Sequence, residues 1–318
     1  MAILLVVAFH IEVWAPAQPP DYYKGLLYIL RFIRMPLFTV LSGYVYALRP
    51  MNPGSGLKFL AGKARRLILP MVFVGIIPIF FLKLSPPYVE APKNFLEILK
   101  PLAFPPHQFW FLQTLFFVFV LITVLECLKW LEKPSIWLLA MGLIALAALL
   151  AGSGILKFIN PPVSPRPFIF MLPYFFFGLG LSRFKLLRQK RWVTFIALSL
   201  AVVGLTLQLF VLTGRLKIAD QRDTVFYLSL SLVYIFLLFK IRWNAPWLSK
   251  LGNFSYSIFL FHFYIILVMN KVLTALPLAL PPAARFAVLF PSAVGLSILA
   301  HLVLKRFAIT RRLFLGLR

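Results

Sequence analysis

The sequence predicts an all-α fold, a polytopic integral membrane bundle of about ten transmembrane helices. Three observations carry that expectation. The 318 residues are 62% hydrophobic with a mean hydropathy of +0.93, against roughly 45–50% apolar residues in a soluble domain. The apolar residues run in stretches that approach the roughly 20 residues a helix needs to cross a bilayer. The connections are short, and they hold nearly all of the Lys and Arg.

The expected spans cover 1–14, 29–48, 67–83, 109–127, 135–152, 168–183, 192–213, 224–240, 252–271 and 284–304. The longest connection, 84–108, is proline-rich and offers no room for a soluble domain, so 1–318 reads as a single membrane domain with no appended soluble domain. A net charge of +25 would suggest nucleic acid in a soluble chain; here it reads as topology, and no nucleic-acid partner is expected. The connections after spans 2, 4, 6 and 8, together with the C-terminal tail, carry the larger share of the 33 cations. That bias predicts a multi-pass protein of the inner (plasma) membrane with both termini cytoplasmic. One cysteine, Cys127, excludes an internal disulfide and a Cys-rich metal site, and it reads as filling space at a helix end. Eight acidic residues supply poorly a carboxylate metal cage or a paired-carboxylate hydrolase, so no metal is expected.

Span 1 begins at Met1 with no flanking cation, and its 14 residues reach only about 21 Å of a roughly 30 Å core. The expectation is a helix without its natural beginning. A cleaved signal peptide fits worse, because there is no basic n-region and His10 and Glu12 stand where the apolar core should be.

Span 2 holds cations that lipid would not tolerate, since an Arg at the centre of a spanning helix costs about 2.5–3.5 kcal/mol on insertion scales. Arg31, Arg34, Phe38 and Ser42 fall within roughly 80° of one another on a straight helix, so they share a face. That face should meet a wet cavity, an anion or a neighbouring helix; the competing reading is that both arginines snorkel to the interface. Met35-Pro36 is expected to interrupt the helix and to free the Phe32 carbonyl.

The loop Asn52 to Lys58 does not have phosphate-loop spacing. Arg65 and Arg66 then open span 3 with two cations at the membrane edge, where positive-inside anchoring competes with ligand binding. Span 4 opens with Phe109-Trp110-Phe111-Leu112-Gln113, which an interfacial aromatic belt would also explain. Spans 5 to 8 read as scaffold, with Pro173 and the pair Gly178 and Gly180 suited to a kink and close helix packing. In span 9, Ser255, Phe259 and His262 lie on one face by their spacing, so a hydroxyl and an imidazole point the same way. A histidine that bonds a neighbouring helix for packing is the competing reading.

His10 is an imidazole inside an apolar helix near the chain start, able when neutral to accept a proton from a hydroxyl. It reads as a general base or as a structural histidine. Glu12 lies about 200° around the helix and cannot easily orient His10 from the same helix.

Taken together, five pieces resemble a family. They are LLVVAFH ending at His10, RMPLFTVLSGY at Arg34 to Tyr44, RRLILP at Arg65 to Pro70, FWFL at Phe109 to Leu112, and LGNFSYSIFLFH at Leu251 to His262. Their order and spacing are similar to the membrane acyltransferase 3 family over nearly the whole chain. The resemblance implies an integral-membrane O-acyltransferase that moves an acyl group, commonly acetyl from acetyl-coenzyme A, onto a hydroxyl of a cell-surface glycan or a related small molecule. It places His10 at the family's first-span histidine, and it links the arginines of spans 2 and 3 to donor or acceptor handling. The family's arginine eleven residues before this histidine would fall before Met1, so the expectation is either a later start than the natural one or a missing catalytic partner.

On this reading His10, Arg34 and Ser42 are catalytic, and Arg31, Arg65 and Arg66 bind the acyl-CoA donor. Glu12, Trp110, Gln113, Ser255 and His262 contact substrate, with a carbohydrate acceptor and the lipid bilayer as partners. A transporter or lipid-linked glycan flippase, whose Arg and His residues bind an anionic substrate, is the alternative. A non-catalytic acyltransferase-like membrane protein is a third reading.

Overall fold

The computed structural model describes residues 2–14, 21–76, 105, 107–152, 165–184, 190–219, 221, 222, 224–241, 245–276 and 280–318. The helices are α1 Ala2–Trp14, α2 Asp21–Leu48, α3 Gly56–Gly75, α4 Trp110–Cys127, α5 Pro134–Gly152 and α6 Pro165–Arg183. They continue with α7 Arg191–Leu212, α8 Val225–Leu238, α9 Pro246–Gly252, α10 Ser255–Ala275, α11 Pro282–Arg306 and α12 Ala308–Leu315. No strand occurs among the described residues. The protein is an all-helical membrane protein.

A helix lies over each of the ten apolar stretches, although for 67–83 the part from 77 on lies outside the described residues. Among the described residues, five helices are long and apolar enough to cross a membrane: Tyr23–Leu48, Trp110–Cys127, Arg191–Leu212, Ser255–Ala275 and Pro282–Arg306. Pro36 does not interrupt α2 as expected. The helix runs through it, because in an apolar medium the remaining backbone bonds have no solvent to turn to and the helix is the only way to satisfy them.

The chain divides into two compact units, Met1–Lys24 with Ala61–Phe116 and Ala245–Arg318, and Gly25–Leu60 with Phe117–Asn244. In the first, α1 packs on α10 and α11, which pack on each other, and α12 returns against α11. The face of α1 that does this is set by Ile3, Val6, Val7 and Ile11, all buried at helical spacing. Lipid tails are as apolar as these side chains, so burial alone does not hold membrane helices together and polar contacts between them count. Ser257 Oγ lies 2.7 Å from His301 Nδ1 between α10 and α11, and Asn270 Nδ2 donates to the Trp14 carbonyl at 3.4 Å.

In the second unit the backbones of α2 and α6 touch. A Cβ on Gly43 would collide with the Phe175 carbonyl, and one on Gly178 with the Val40 carbonyl, so only glycine permits this approach. The Gln208 amide oxygen accepts from Tyr234 at 2.7 Å between α7 and α8. Arg183 pairs with Glu126 at 2.6 Å and donates to the Leu131 carbonyl at 3.0 Å, while Tyr46 donates to the same carboxylate. This part-buried ion pair therefore has its remaining hydrogen-bonding capacity partly filled, as pairs withdrawn from water require. Cys127 stands at the end of α4, where it is exposed with its Sγ 3.4 Å from the Pro53 carbonyl.

Candidate active site

His10 shares the packed face of α1, three residues after Val7 and four after Val6, and is half-buried there. Its Nδ1 lies 2.8 Å from Nε2 of His262, a fully buried residue of α10, with ring centroids 5.0 Å apart. His262 Nδ1 lies 2.7 Å from the carbonyl of Ile258, one turn earlier in the same helix. A carbonyl only accepts, so His262 Nδ1 carries the proton, and in a neutral ring its Nε2 then carries the lone pair. Two neutral rings satisfy both contacts in one way: His10 Nδ1–H donates to His262 Nε2, and His10 Nε2 is left with a lone pair. Phe263 meets the His10 ring edge-on at 6.2 Å, and the Trp14 ring in turn meets Phe263 edge-on at 5.3 Å.

A model of the acyltransferase domain of the acyltransferase 3 family matches residues 1–302. The chain belongs to that family. It is a membrane acyltransferase, and the histidine pair lies within the matched region. No curated protein and no solved structure matches the chain.

In this acyltransferase the sequence-expected residues are drawn from both units. His10, Glu12, Arg65, Arg66, Trp110, Gln113, Ser255 and His262 belong to the first unit; Arg31, Arg34 and Ser42 belong to the second. Ser255 and His262 do not come together. Ser255 is the first residue of α10, about 10 Å along the axis from His262, and its hydroxyl donates to the Gly252 carbonyl at 2.7 Å. Its proton closes the turn that starts the helix. His262 is fully buried and meets His10 on the neighbouring helix α1.

Ser42 donates back to the Phe38 carbonyl at 2.9 Å, so its hydroxyl proton is already committed within α2. Arg34 is buried, and Arg31 lies 4.4 Å from the Tyr28 ring centroid and 5.1 Å from that of Phe32. Aromatic faces stabilise such a guanidinium, by about 2 kcal/mol or more where it is desolvated. The Arg31 carbonyl accepts from Tyr227 at 2.6 Å, and the Tyr227 ring stacks on Phe32.

The first unit also holds polar groups that sequence reasoning missed. Gln108 is buried in the 3-10 turn His107–Phe109 that leads into α4, and among the described residues neither amide atom has a hydrogen-bond partner. The Tyr264 hydroxyl is likewise buried and without a partner. Rings tie this turn to α10, Phe109 against Tyr264 at 6.4 Å and Phe111 against Phe259 at 5.7 Å, with Phe259 6.3 Å from the His262 ring. The one sequence signal was a glutamine inside an otherwise aromatic run. Gln113 and Trp110 lie on α4 just beyond it, Gln113 buried and Trp110 half-buried. Glu12 is half-buried on α1.

Arg65 and Arg66 sit on α3, and the Tyr256 hydroxyl of α10 donates to the Arg66 carbonyl. Ahead of them Lys63 is brought down to about 8, first by burial and then by the Arg66 guanidinium. The folded chain thus holds this proton less tightly than the unfolded chain. Between about 8 and the ordinary 10.5 the unfolded form binds more protons, so this residue makes stability rise with pH across that window. Thermal melts of Lys63→Met over the same window should show that rise flattened. Among the described residues no cluster of three His, Cys, Asp or Glu side chains could hold a metal ion.

Proposed function

We propose that this acyltransferase moves an acyl group, acetyl in the simplest case, from acyl-coenzyme A to a hydroxyl of a cell-surface glycan or a related small molecule, with His10 as general base. The single observation that carries the reading is the contact chain from Ile258 through His262 to His10, which puts the His10 proton on Nδ1 and makes Nε2 the basic nitrogen of the ring. The acceptor O–H proton passes to Nε2 while that oxygen attacks the thioester carbonyl. The carbon–sulfur bond then breaks, and the thiolate takes the proton back from the imidazolium, which yields an O-acyl ester and free coenzyme A. His262 Nε2 accepts the Nδ1–H bond throughout, so the ring keeps its orientation as it gains and loses charge. Arg65 and Arg66 hold donor phosphates, because guanidinium forks match phosphate oxygens.

The wider reading keeps ten spans, one membrane domain, an inner-membrane location and cytoplasmic termini. The helices over all ten apolar stretches and the bias of Lys and Arg toward alternate connections support it. Purified protein given acetyl-labelled acetyl-coenzyme A and glycan acceptors should produce a base-labile labelled ester. Movement of a glycan across vesicles with no dependence on acyl-coenzyme A would favour the transporter alternative.

Gln108 fits a role in holding the acceptor, since a buried amide without a partner costs about 1–3 kcal/mol until something bonds to it. Gln108→Leu should therefore leave the melting temperature equal or higher while acceptor KM rises about tenfold. An unchanged KM would remove Gln108 from the site.

A further inference from the structure

The family match stops at residue 302, yet the tail beyond it is built into the first unit. The Phe314 ring lies 6.0 Å from that of Phe73 on α3, and Leu315 is buried. Gly316 ends α12 in the left-handed conformation at φ +64, against the backbone of α3. A Cβ there would stand 2.6 Å from the Arg65 carbonyl oxygen and 2.8 Å from the Arg66 Cα. Docking this tail carries Arg312 and Arg318 to Arg65 and Arg66, a gathering of like charge that is costly in itself. Arg65 accordingly holds its proton less tightly than usual, through desolvation and then the charges of Arg318, Arg66 and Arg312. Among the described residues, Nε of Arg65 and Nε of Arg311 are buried without a hydrogen-bond partner. Among the described residues no carboxylate forms an ion pair with these arginines.

Positive-inside topology explains cations in a tail. It does not explain why the tail folds back to place them on two further arginines and leaves guanidinium donors unused. A ligand with several phosphate oxygens would supply both the charge and the acceptors. The seat is also placed well for such a ligand. Tyr256, which bonds the Arg66 carbonyl, is six residues before His262 on α10, roughly 9 Å along the axis, and the extended arm of coenzyme A covers a separation of that order.

We infer that Arg312 and Arg318 of the tail complete, with Arg65 and Arg66, a seat for clustered phosphates, and that its occupant is the nucleotide end of the acyl-coenzyme A donor. This rests on the donor reading given under Proposed function. Calorimetric titration of the full chain in detergent with coenzyme A, with dephospho-coenzyme A, and with nanodiscs containing phosphatidylglycerol tests it. The variant R312Q/R318Q should bind coenzyme A at least about tenfold more weakly than the parent, with a shallower salt dependence and a smaller loss for dephospho-coenzyme A. Gly316→Ala keeps every charge and should weaken coenzyme A in the same direction by lifting the tail off α3. Undiminished coenzyme A affinity in R312Q/R318Q would overturn the seat and leave the donor reading standing. A loss confined to phosphatidylglycerol would overturn it in favour of a lipid headgroup. If the parent protein binds no coenzyme A, the donor reading itself falls, and this assignment with it.

Discussion

His10→Ala should lower kcat for acyl transfer by about a thousandfold while the affinity for coenzyme A stays within about twofold of the parent. The reasoning is differential. A general base acts where the acceptor proton leaves, so its removal raises the barrier to transfer without touching the donor's phosphates. His10→Gln is the sharper variant, because its amide can occupy the ring's place and still donate to His262 Nε2, yet it offers no basic nitrogen. It should be as inactive as the alanine variant. Initial rates of label transfer from acetyl-coenzyme A, with binding measured in parallel, check both. Transfer at the parent rate by His10→Ala would take the histidine out of the chemistry.

His262→Leu should cost about 10- to 100-fold in kcat, with the KM of donor and acceptor little changed, because His262 touches His10 and not the reacting atoms. Leucine leaves His10 Nδ1–H without an acceptor, and the ring is then free to place its proton on either nitrogen or to turn. His262→Gln discriminates this positioning role from a packing role. Its amide oxygen can accept from His10 Nδ1 and its amide nitrogen can donate within α10, so it should recover much of the lost rate. If leucine and glutamine lose rate equally while the protein melts normally, His262 does not orient the base.

The helices were legible because a bilayer demands long apolar runs, and that demand is written into consecutive residues. His10 was legible as the imidazole in such a run. Its partner was not, since His262 lies 252 residues further on and nothing local says that α10, of all later helices, packs on α1. Helical spacing assigned Ser255 and His262 to one face, but it could not show that the first residue of the helix spends its hydroxyl on the turn. Ser42 likewise returns its proton to the carbonyl one turn back, a local bond that helical spacing does not reveal. Pro36 looked like a break because proline breaks helices in water, and in lipid the alternatives to the helix are worse. Gln108 shows in the sequence only as a glutamine in an aromatic run and Tyr264 shows no pattern, so it is their buried polar atoms, unpartnered among the described residues, that mark them.

The claim on which the mechanism turns is that the His262 relay leaves the His10 Nε2 unprotonated. Nitrogen-15 NMR of histidine-labelled protein at neutral pH, with the His10 signals assigned by their loss in His10→Gln, reads this directly. The expected result is a neutral His10 ring with its proton on Nδ1 and a bare Nε2. A proton found on Nε2, with Nδ1 bare, would contradict the account.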